Sequence, residues 1–172
     1  MKPMKPMKPM KIVRLEAEEW PRLRAIRLAA LLDSPDAFGT IFADANEWSD
    51  AVWQHQAATL PTFIAVDDGS DGSRDVGMVR ADRDTEDPST AWLISMWVDP
   101  FVRRHGVGRA LIDAVTAWAR TSKLRRLALD VADSNLAAVA LYERMGFRAS
   151  GETGSLPPPR THITEHRRVL TL

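Results

Sequence analysis

An α/β (α+β) fold in one domain, built from seven strands and four helices, is what this chain encodes, and three features carry that expectation. A length of 172 residues suits a single core, and 45% hydrophobic residues are enough to fill it. Apolar residues recur with period two in some segments and near 3.6 in others, in the order β-α-α-β-β-β-α-β-α-β-β. Finally, the apolar run Trp92-Leu93-Ile94-Ser95-Met96-Trp97-Val98 stops at Asp99-Pro100 and leads, through a basic glycine loop, into an amphipathic helix.

Residues 11–15 read as the first strand. A helix over 20–32 follows, with Pro21 suited to its first turn and Leu23, Ile26 and Ala30 on an apolar face opposite Arg24 and Arg27. Asp33-Ser34-Pro35-Asp36 breaks it. A second helix spans 46–60, carries Trp48 and Trp53, and ends at Pro61. Strands over 62–66 and 76–81 flank an Asp/Gly/Ser-rich hairpin at 67–74. The strand over 92–98 comes next, then the loop and its helix to Thr121, where Leu111, Val115, Trp118 and Ala119 share a face. Leu127, Leu129 and Val131 alternate in a strand over 125–131. A helix over 135–145 closes at Gly146, a left-handed cap position. Strands over 147–151 and 163–170 finish the fold across a proline loop at 156–160. Residues 11–172 form one domain with no internal boundary. Residues 1–10, in which Met-Lys-Pro repeats three times, lack the apolar core of a secretory signal and are expected to be a disordered leader or an artificial extension.

Composition excludes several function classes. No stretch of 18 or more apolar residues occurs, so no membrane span is indicated. The absence of cysteine removes disulfides, thiolate metal sites and a cysteine acyl-enzyme, and fits a cytoplasmic location. The four histidines make no HExxH pair, and His162 and His166 sit on a strand, where they do not converge as on a helix turn; no metal site is expected. Net charge is zero, but its layout is uneven. Residues 28–73 hold no lysine or arginine and eight acids: Asp33, Asp36, Asp44, Glu47, Asp50, Asp67, Asp68 and Asp71. Residues 101–172 hold twelve basic residues against six acids. Solvated loops and helix caps account for part of this. The functional reading is an anionic cofactor held by the C-terminal half and a cationic substrate facing the N-terminal half. Zero net charge and the acidic half exclude a nucleic-acid partner.

The loop Arg103-Arg104-His105-Gly106-Val107-Gly108-Arg109 carries the sharpest signal. Glycines let the backbone approach a ligand, N–H groups at a helix start favour phosphate, and arginines add contacts to the same anion. Together they make a pyrophosphate cradle. A P-loop is excluded, since no Gly-Lys-Ser/Thr ending exists. A dinucleotide fingerprint fares little better, although Asp130 sits where a ribose-binding acid would. Leu111 fills its third glycine position, and only 42 residues follow Asp130, too few for a doubly wound sheet.

The spacing Arg-x-x-Gly-x-Gly, from Arg103 to Gly108, resembles motif A of the GNAT superfamily of acyl-CoA-dependent N-acetyltransferases. A second block, Leu129-Asp130-Val131-Ala132-Asp133-Ser134-Asn135 followed by Ala140-Leu141-Tyr142-Glu143-Arg144-Met145-Gly146-Phe147, resembles its motif B. The two blocks span 92–147, and the resemblance extends over 12–170. It implies a mixed central sheet of about seven strands flanked by about four helices, acetyl-CoA as cosubstrate, and direct acetyl transfer to a primary amine in a ternary complex. The clamp would be Arg103, Arg104, His105, Gly106, Val107, Gly108 and Arg109, mainly through backbone N–H groups. The resemblance also promotes the backbone of Met96, Trp97 and Val98, otherwise core residues, as the edge that pairs with pantetheine. Asn135 matches the family's cofactor-binding asparagine and also suits a helix N-cap. Tyr142, the sole tyrosine, follows it by two helical turns. With a pKa of about 10, a phenol stays protonated at neutral pH and can protonate a departing thiolate as general acid. The base stays open between Asp130, Glu47 and a relayed water. The expected partner is a small cationic amine such as an amino acid, a polyamine or an amine-bearing antibiotic; peptide N-termini and protein lysines stay open, as does a homodimer. The rival of another class is a non-catalytic acyl-CoA-binding module.

Overall fold

The computed structural model describes residues 10–69 and 72–172. The leader expected over 1–10 therefore falls outside the described residues except for Met10, which is half-buried and packs on the core. Seven strands, β1 (Lys11–Arg14), β2 (Thr62–Gly69), β3 (Gly72–Arg83), β4 (Thr90–Val98), β5 (Arg126–Ala132), β6 (Arg148–Ser155) and β7 (Thr164–Thr171), form one sheet in the order β1-β2-β3-β4-β5-β7-β6. Every neighbouring pair is antiparallel except β4–β5, which is parallel, so the sheet is mixed as expected. The helices are α1 (Trp20–Asp33), α2 (Phe42–Asn46), α3 (Asp50–Thr59), α4 (Val107–Thr121) and α5 (Leu136–Arg144).

Strand alternation divides the core between the two faces of the sheet. On β2, Phe63 and Ala65 join one cluster with Leu111, Ile112 and Val115 of α4 and Tyr142 of α5. Ile64 and Val66 join the other with Leu23, Ile26 and Leu31 of α1 and Trp53 of α3. The helices thus cover both faces, α1 and α3 on one side and α4 and α5 on the other.

Three expectations are corrected. The helix expected over 46–60 starts only at Asp50, as α3, because Ser49 adopts extended backbone (φ −67°, ψ 160°) before it, and a further short helix, α2, precedes it at Phe42–Asn46. Trp48 lies between them, its ring 5.1 Å from that of Trp53. The hairpin expected at 67–74 is mostly strand, since Asp67 pairs with Arg74, Asp68 with Ser73 and Gly69 with Gly72. Opposite charges directly across the strands favour that extension. Arg27, placed on the solvent face of its helix, is buried instead. Leu23, Ile26, Arg27, Ala30 and Leu31 follow the spacing i, i+3, i+4, i+7, i+8 and form one stripe.

Two irregularities in β4 position everything that follows. Arg80 pairs with Ile94 and Met78 with Trp97, so Ser95 and Met96 together oppose Val79 in a bulge, and Ser95 takes a left-handed φ of 56°. The extra residue exchanges the faces. Ala91 and Leu93 point to the α4 side, and so do Met96 and Val98, while Trp97 turns to the α1 side. Beyond that, β4 and β5 pair only from Thr90–Trp92 to Arg126–Ala128 and then part. Past Trp92 the β5-facing edge of β4 has no strand partner among the described residues.

Candidate functional site

A cleft of about 350 Å³ opens where β4 and β5 separate. Ile94, Ser95 and Met96 line it from β4, Asp130, Val131 and Ala132 from β5, and Asn135 and Tyr142 from the start and end of α5. Arg27 of α1, Arg80 of β3, Glu165 of β7 and the loop over 37–40 complete the wall. Arg160 fastens that loop, its guanidinium donating to the carbonyls of Pro35 and, at 2.9 Å, Gly39.

The basic glycine turn stands beside the cleft. Gly106 precedes α4 with φ 82°, a left-handed conformation that favours glycine, and Arg104 adopts a similar φ of 68°. The first bond of the helix runs from the Ala110 N–H to the Gly106 carbonyl at 3.0 Å. The N–H groups of Val107, Gly108 and Arg109 therefore have no carbonyl four residues back and are free to bind an anion. Gly108 is needed for a different reason. A Cβ there would lie 2.9 Å from Leu141 Cδ2 and 3.3 Å from Met96 Cε, so glycine lets the first turn of α4 sit this close to β4 and α5 without displacing those two side-chain ends. Met96 touches this turn and lines the cleft, joining the two halves of the site. Free first-turn donors beside an unpaired strand edge fit a ligand that has a pyrophosphate and an amide-bearing arm.

The clamp residues have unequal roles. Arg103 was expected at the anion, but its Nε donates to the Val98 carbonyl at 2.9 Å and its Nη2 pairs with Asp33, which also accepts from the Trp97 indole at 2.9 Å. Its side chain ties the loop to the end of α1. Arg104 is exposed, His105 places Nδ1 2.9 Å from the Arg103 carbonyl, and Arg109 lies 3.7 Å from Asp113 in a largely exposed pair. Among the described residues, Arg104 and Arg109 are the two arginines of this loop without a short hydrogen bond to another group. Trp97 is packed on the far face with Asp33, and Val98 is half-buried against the α4-side core.

Asn135 caps α5, its side-chain oxygen accepting from the Ala138 N–H at 3.2 Å, and it also lines the cleft. Tyr142 shares that cleft, with its ring edge-on to Phe147 at 5.6 Å. Burial pushes the phenol well above its ordinary pKa, so it carries its proton at neutral pH. Among the expected bases, Glu47 is exposed at the end of α2 and outside the cleft lining. Asp130 lines the cleft but is held by Arg167, at 3.1 and 3.4 Å. Arg167 itself lies over the Trp92 ring at 4.5 Å and pairs with Glu152 at 3.1 Å.

Three cleft residues escaped the sequence reading. Glu165 is half-buried, and burial, together with the neighbouring charge of Asp130 and against that of Arg160, raises its pKa above the usual carboxylate range. Its alternation with Ile163 and Arg167 on a strand was legible, but its place beside Asp130 depends on β7 pairing with β5, Ala132 facing Glu165. Arg27 and Arg80 are both buried. The spacing of Arg27 with Leu23, Ile26, Ala30 and Leu31 was the available signal. None of the eight acids of residues 28–73 is among the described residues that line the cleft. Among the described residues no cluster of three or more His, Cys, Asp or Glu is placed to hold a metal ion, and no helix is long and apolar enough to cross a membrane.

Residues 12–147 match the model of the Acetyltransferase (GNAT) family. A mycothiol acetyltransferase of Salinispora arenicola is 32% identical over 124 residues, covering 72% of this chain and 39% of that protein. A [ribosomal protein bS18]-alanine N-acetyltransferase of Escherichia coli is 42% identical over 57 residues, 33% of this chain and 38% of that one. The matched part of the chain thus spans about two fifths of the length of each of these two relatives. The solved structure of yncA from Salmonella typhimurium with its cofactor acetyl-CoA superposes with a TM-score of 0.72 at 16% identity, covering 96% of this chain and 95% of that one.

Proposed function

This chain belongs to the GNAT family of acetyltransferases, and on that premise we propose that it transfers an acetyl group from acetyl-CoA to a primary amine of a small molecule, directly and in a ternary complex. One observation carries the reading: β4 and β5 part after Trp92, and the opening holds Tyr142 inside while the free first-turn N–H groups of α4 stand beside it.

When bound, acetyl-CoA supplies an activated acyl group and a thiol leaving group. The N–H groups of Val107, Gly108 and Arg109, with Arg104 and Arg109 side chains, hold the pyrophosphate. The unpaired edge of β4 at Met96, Trp97 and Val98 aligns the pantetheine arm, and an N–H on that edge polarises the thioester carbonyl. Asn135 borders the same arm. An alkyl amine of pKa about 10.4 arrives protonated at neutral pH, so a base must act first. Glu165 takes that proton, because its raised pKa makes it a better base than an ordinary carboxylate. The amine nitrogen then forms its bond to the carbonyl carbon, the C–S bond breaks, Tyr142 gives its proton to the departing sulfur, and the proton shed by the acylated nitrogen restores the phenol.

The loop at 37–40, fastened by Arg160, walls the cleft and favours a small acceptor over a protein segment. The test is release of free thiol from acetyl-CoA across a panel of amino acids, diamines and short peptides. Amine-dependent release is expected, greatest with small amines. Acetyl-CoA binding by calorimetry with no release from any amine would establish the non-catalytic module instead, and a preference for peptides would move the acceptor to protein N-termini.

A further inference from the structure

The cleft contains an arrangement that acetyl transfer alone does not require. Arg27 is 4% exposed, yet its Nε and Nη1 are buried without any hydrogen-bond partner. Its one close neighbour of note is the Phe38 ring, 4.5 Å from the guanidinium carbon. Arg80 is equally buried and donates only to neutral groups, to Ser95 Oγ at 3.0 and 2.8 Å and to Gln56 Oε1 at 2.6 Å. Among the described residues neither arginine has a carboxylate within salt-bridge reach. Both line the cleft.

Burying one guanidinium without a paired counter-charge is costly, and burying two together is more so, the charge of Asp82 offsetting only part of the burial of Arg80. Burial, and after it the charge of Arg80, holds the Arg27 pKa down to about 9, so it remains a cation at neutral pH. A buried charge left unpaired by its own protein is paired by a ligand or is a liability. Arg27 keeps unpartnered donors on its guanidinium, and an oxyanion is the group that pairs with them as charge and as hydrogen-bond acceptor together.

The cleft is also polarised. Arg27 and Arg80 come from α1 and β3, on one side of β4. Asp130 and Glu165 come from β5 and β7, on the other side. We propose that the acceptor carries an oxyanion as well as its amine, as a zwitterionic amino acid does, with the oxyanion bound by Arg27 beside Arg80 and the amine directed to Glu165. This rests on the transferase reading above and narrows it. It replaces the acidic half of the chain, as the source of substrate recognition, with a cationic pocket that the composition does not reveal.

The test is steady-state thiol release with acceptors of one carbon skeleton: an α-amino acid, its carboxamide, its aminophosphonate and the decarboxylated amine, together with a diamine. Wild type, Arg27→Met and Arg27→Lys are compared. Wild type is expected to favour an oxyanion-bearing acceptor over the carboxamide in kcat/KM by on the order of 10²-fold, the scale of a lost charged hydrogen-bond pair. Whichever of carboxylate and phosphonate is used better identifies the oxyanion. Arg27→Met should bring that ratio towards one through KM for the acceptor, and Arg27→Lys should restore part of it. The Met variant should also melt at a higher temperature, since it removes a buried uncompensated charge. The inference is overturned if wild type uses the carboxamide, the decarboxylated amine or the diamine as well as the acids, or if Arg27→Met leaves the ratio intact. Both outcomes keep the transferase reading. Failure of every amine to release thiol from bound acetyl-CoA overturns the transferase reading instead. Calorimetry of the amino acid against its carboxamide, in wild type and Arg27→Met, then decides the anion pocket by itself.

Discussion

Replacing Tyr142 with Phe removes one oxygen from a side chain that is 6% exposed and leaves the ring against Phe147. Burial raises the pKa of this phenol, and among the described residues the hydroxyl has no hydrogen-bond partner to lose. Deleting a bonded buried hydroxyl would cost about 1–3 kcal/mol; without a partner the change should stay within about 1 kcal/mol, of either sign. In a domain of this size that is a melting shift of roughly 2–4 °C or less. Turnover should respond very differently. A positioned general acid contributes about 10²–10⁴-fold, and the lower bound already adds about 2.7 kcal/mol to the barrier. Melting temperature, acetyl-CoA affinity and single-turnover rate should be measured on the same preparation of Tyr142→Phe. The expected pattern is intact fold, intact affinity and a rate reduced by on the order of 10² or more. A near wild-type rate, with chemistry shown to be the slow step, would refute the assignment. So would a large loss of stability with normal turnover per folded molecule, the pattern of a tyrosine that only packs.

Gly108→Val places methyl groups where a Cβ already lies 2.9 Å from Leu141 and 3.3 Å from Met96, so overpacking should lower stability by about 1–3 kcal/mol and acetyl-CoA affinity with it. Unaltered affinity by calorimetry would remove the cofactor from this turn. Arg103→Ala loses a half-exposed pair with Asp33 of about 0–1 kcal/mol and should bind acetyl-CoA nearly as wild type does, whereas Arg104→Ala should bind it several-fold more weakly. The reverse order in calorimetric titrations would mean that Arg103 leaves Asp33 for the anion. Glu165→Gln should lower the plateau of kcat/KM by on the order of 10² and abolish its acid limb, which in the wild type lies above the usual carboxylate range. The fold raises this pKa, so the native state holds the proton more tightly than the unfolded chain does. Stability from this group therefore falls as pH rises from the ordinary glutamate pKa through the raised one, and thermal melts of Glu165→Gln should lack that fall.

Local chemistry explains what could be read before any fold was seen. The strand-loop-helix unit around Gly106 and Gly108 rests on short-range rules, since apolar period, glycine torsions and a helix start all act within a few residues. The Asn135 cap and the Gly146 close of α5 were legible for the same reason, each answering a backbone need of its own helix end. The break at Ser49 was not read from the sequence, because Trp48 and Trp53 both qualify as core residues of one segment, and their packing on a core cluster shows that the chain turns between them.

By itself the sequence determined the one-domain α/β class, the order of its strands along the chain, the glycine turn that opens α4, and the family to which Arg103-x-x-Gly106-x-Gly108 and the Asn135–Tyr142 block belong. The tertiary structure alone decided which charges face the cleft. Arg103 went to Asp33, 70 residues away, Glu165 reached the cleft through β7 pairing beside β5, and Arg27 and Arg80 met across α1 and β3 while the described acids of residues 28–73 stayed out of it. Torsional and periodic preferences act along the chain and can be read there. Electrostatic pairing depends on distance through space and on local burial, and both exist only after the sheet has set its register and the Ser95 bulge has exchanged the faces of β4.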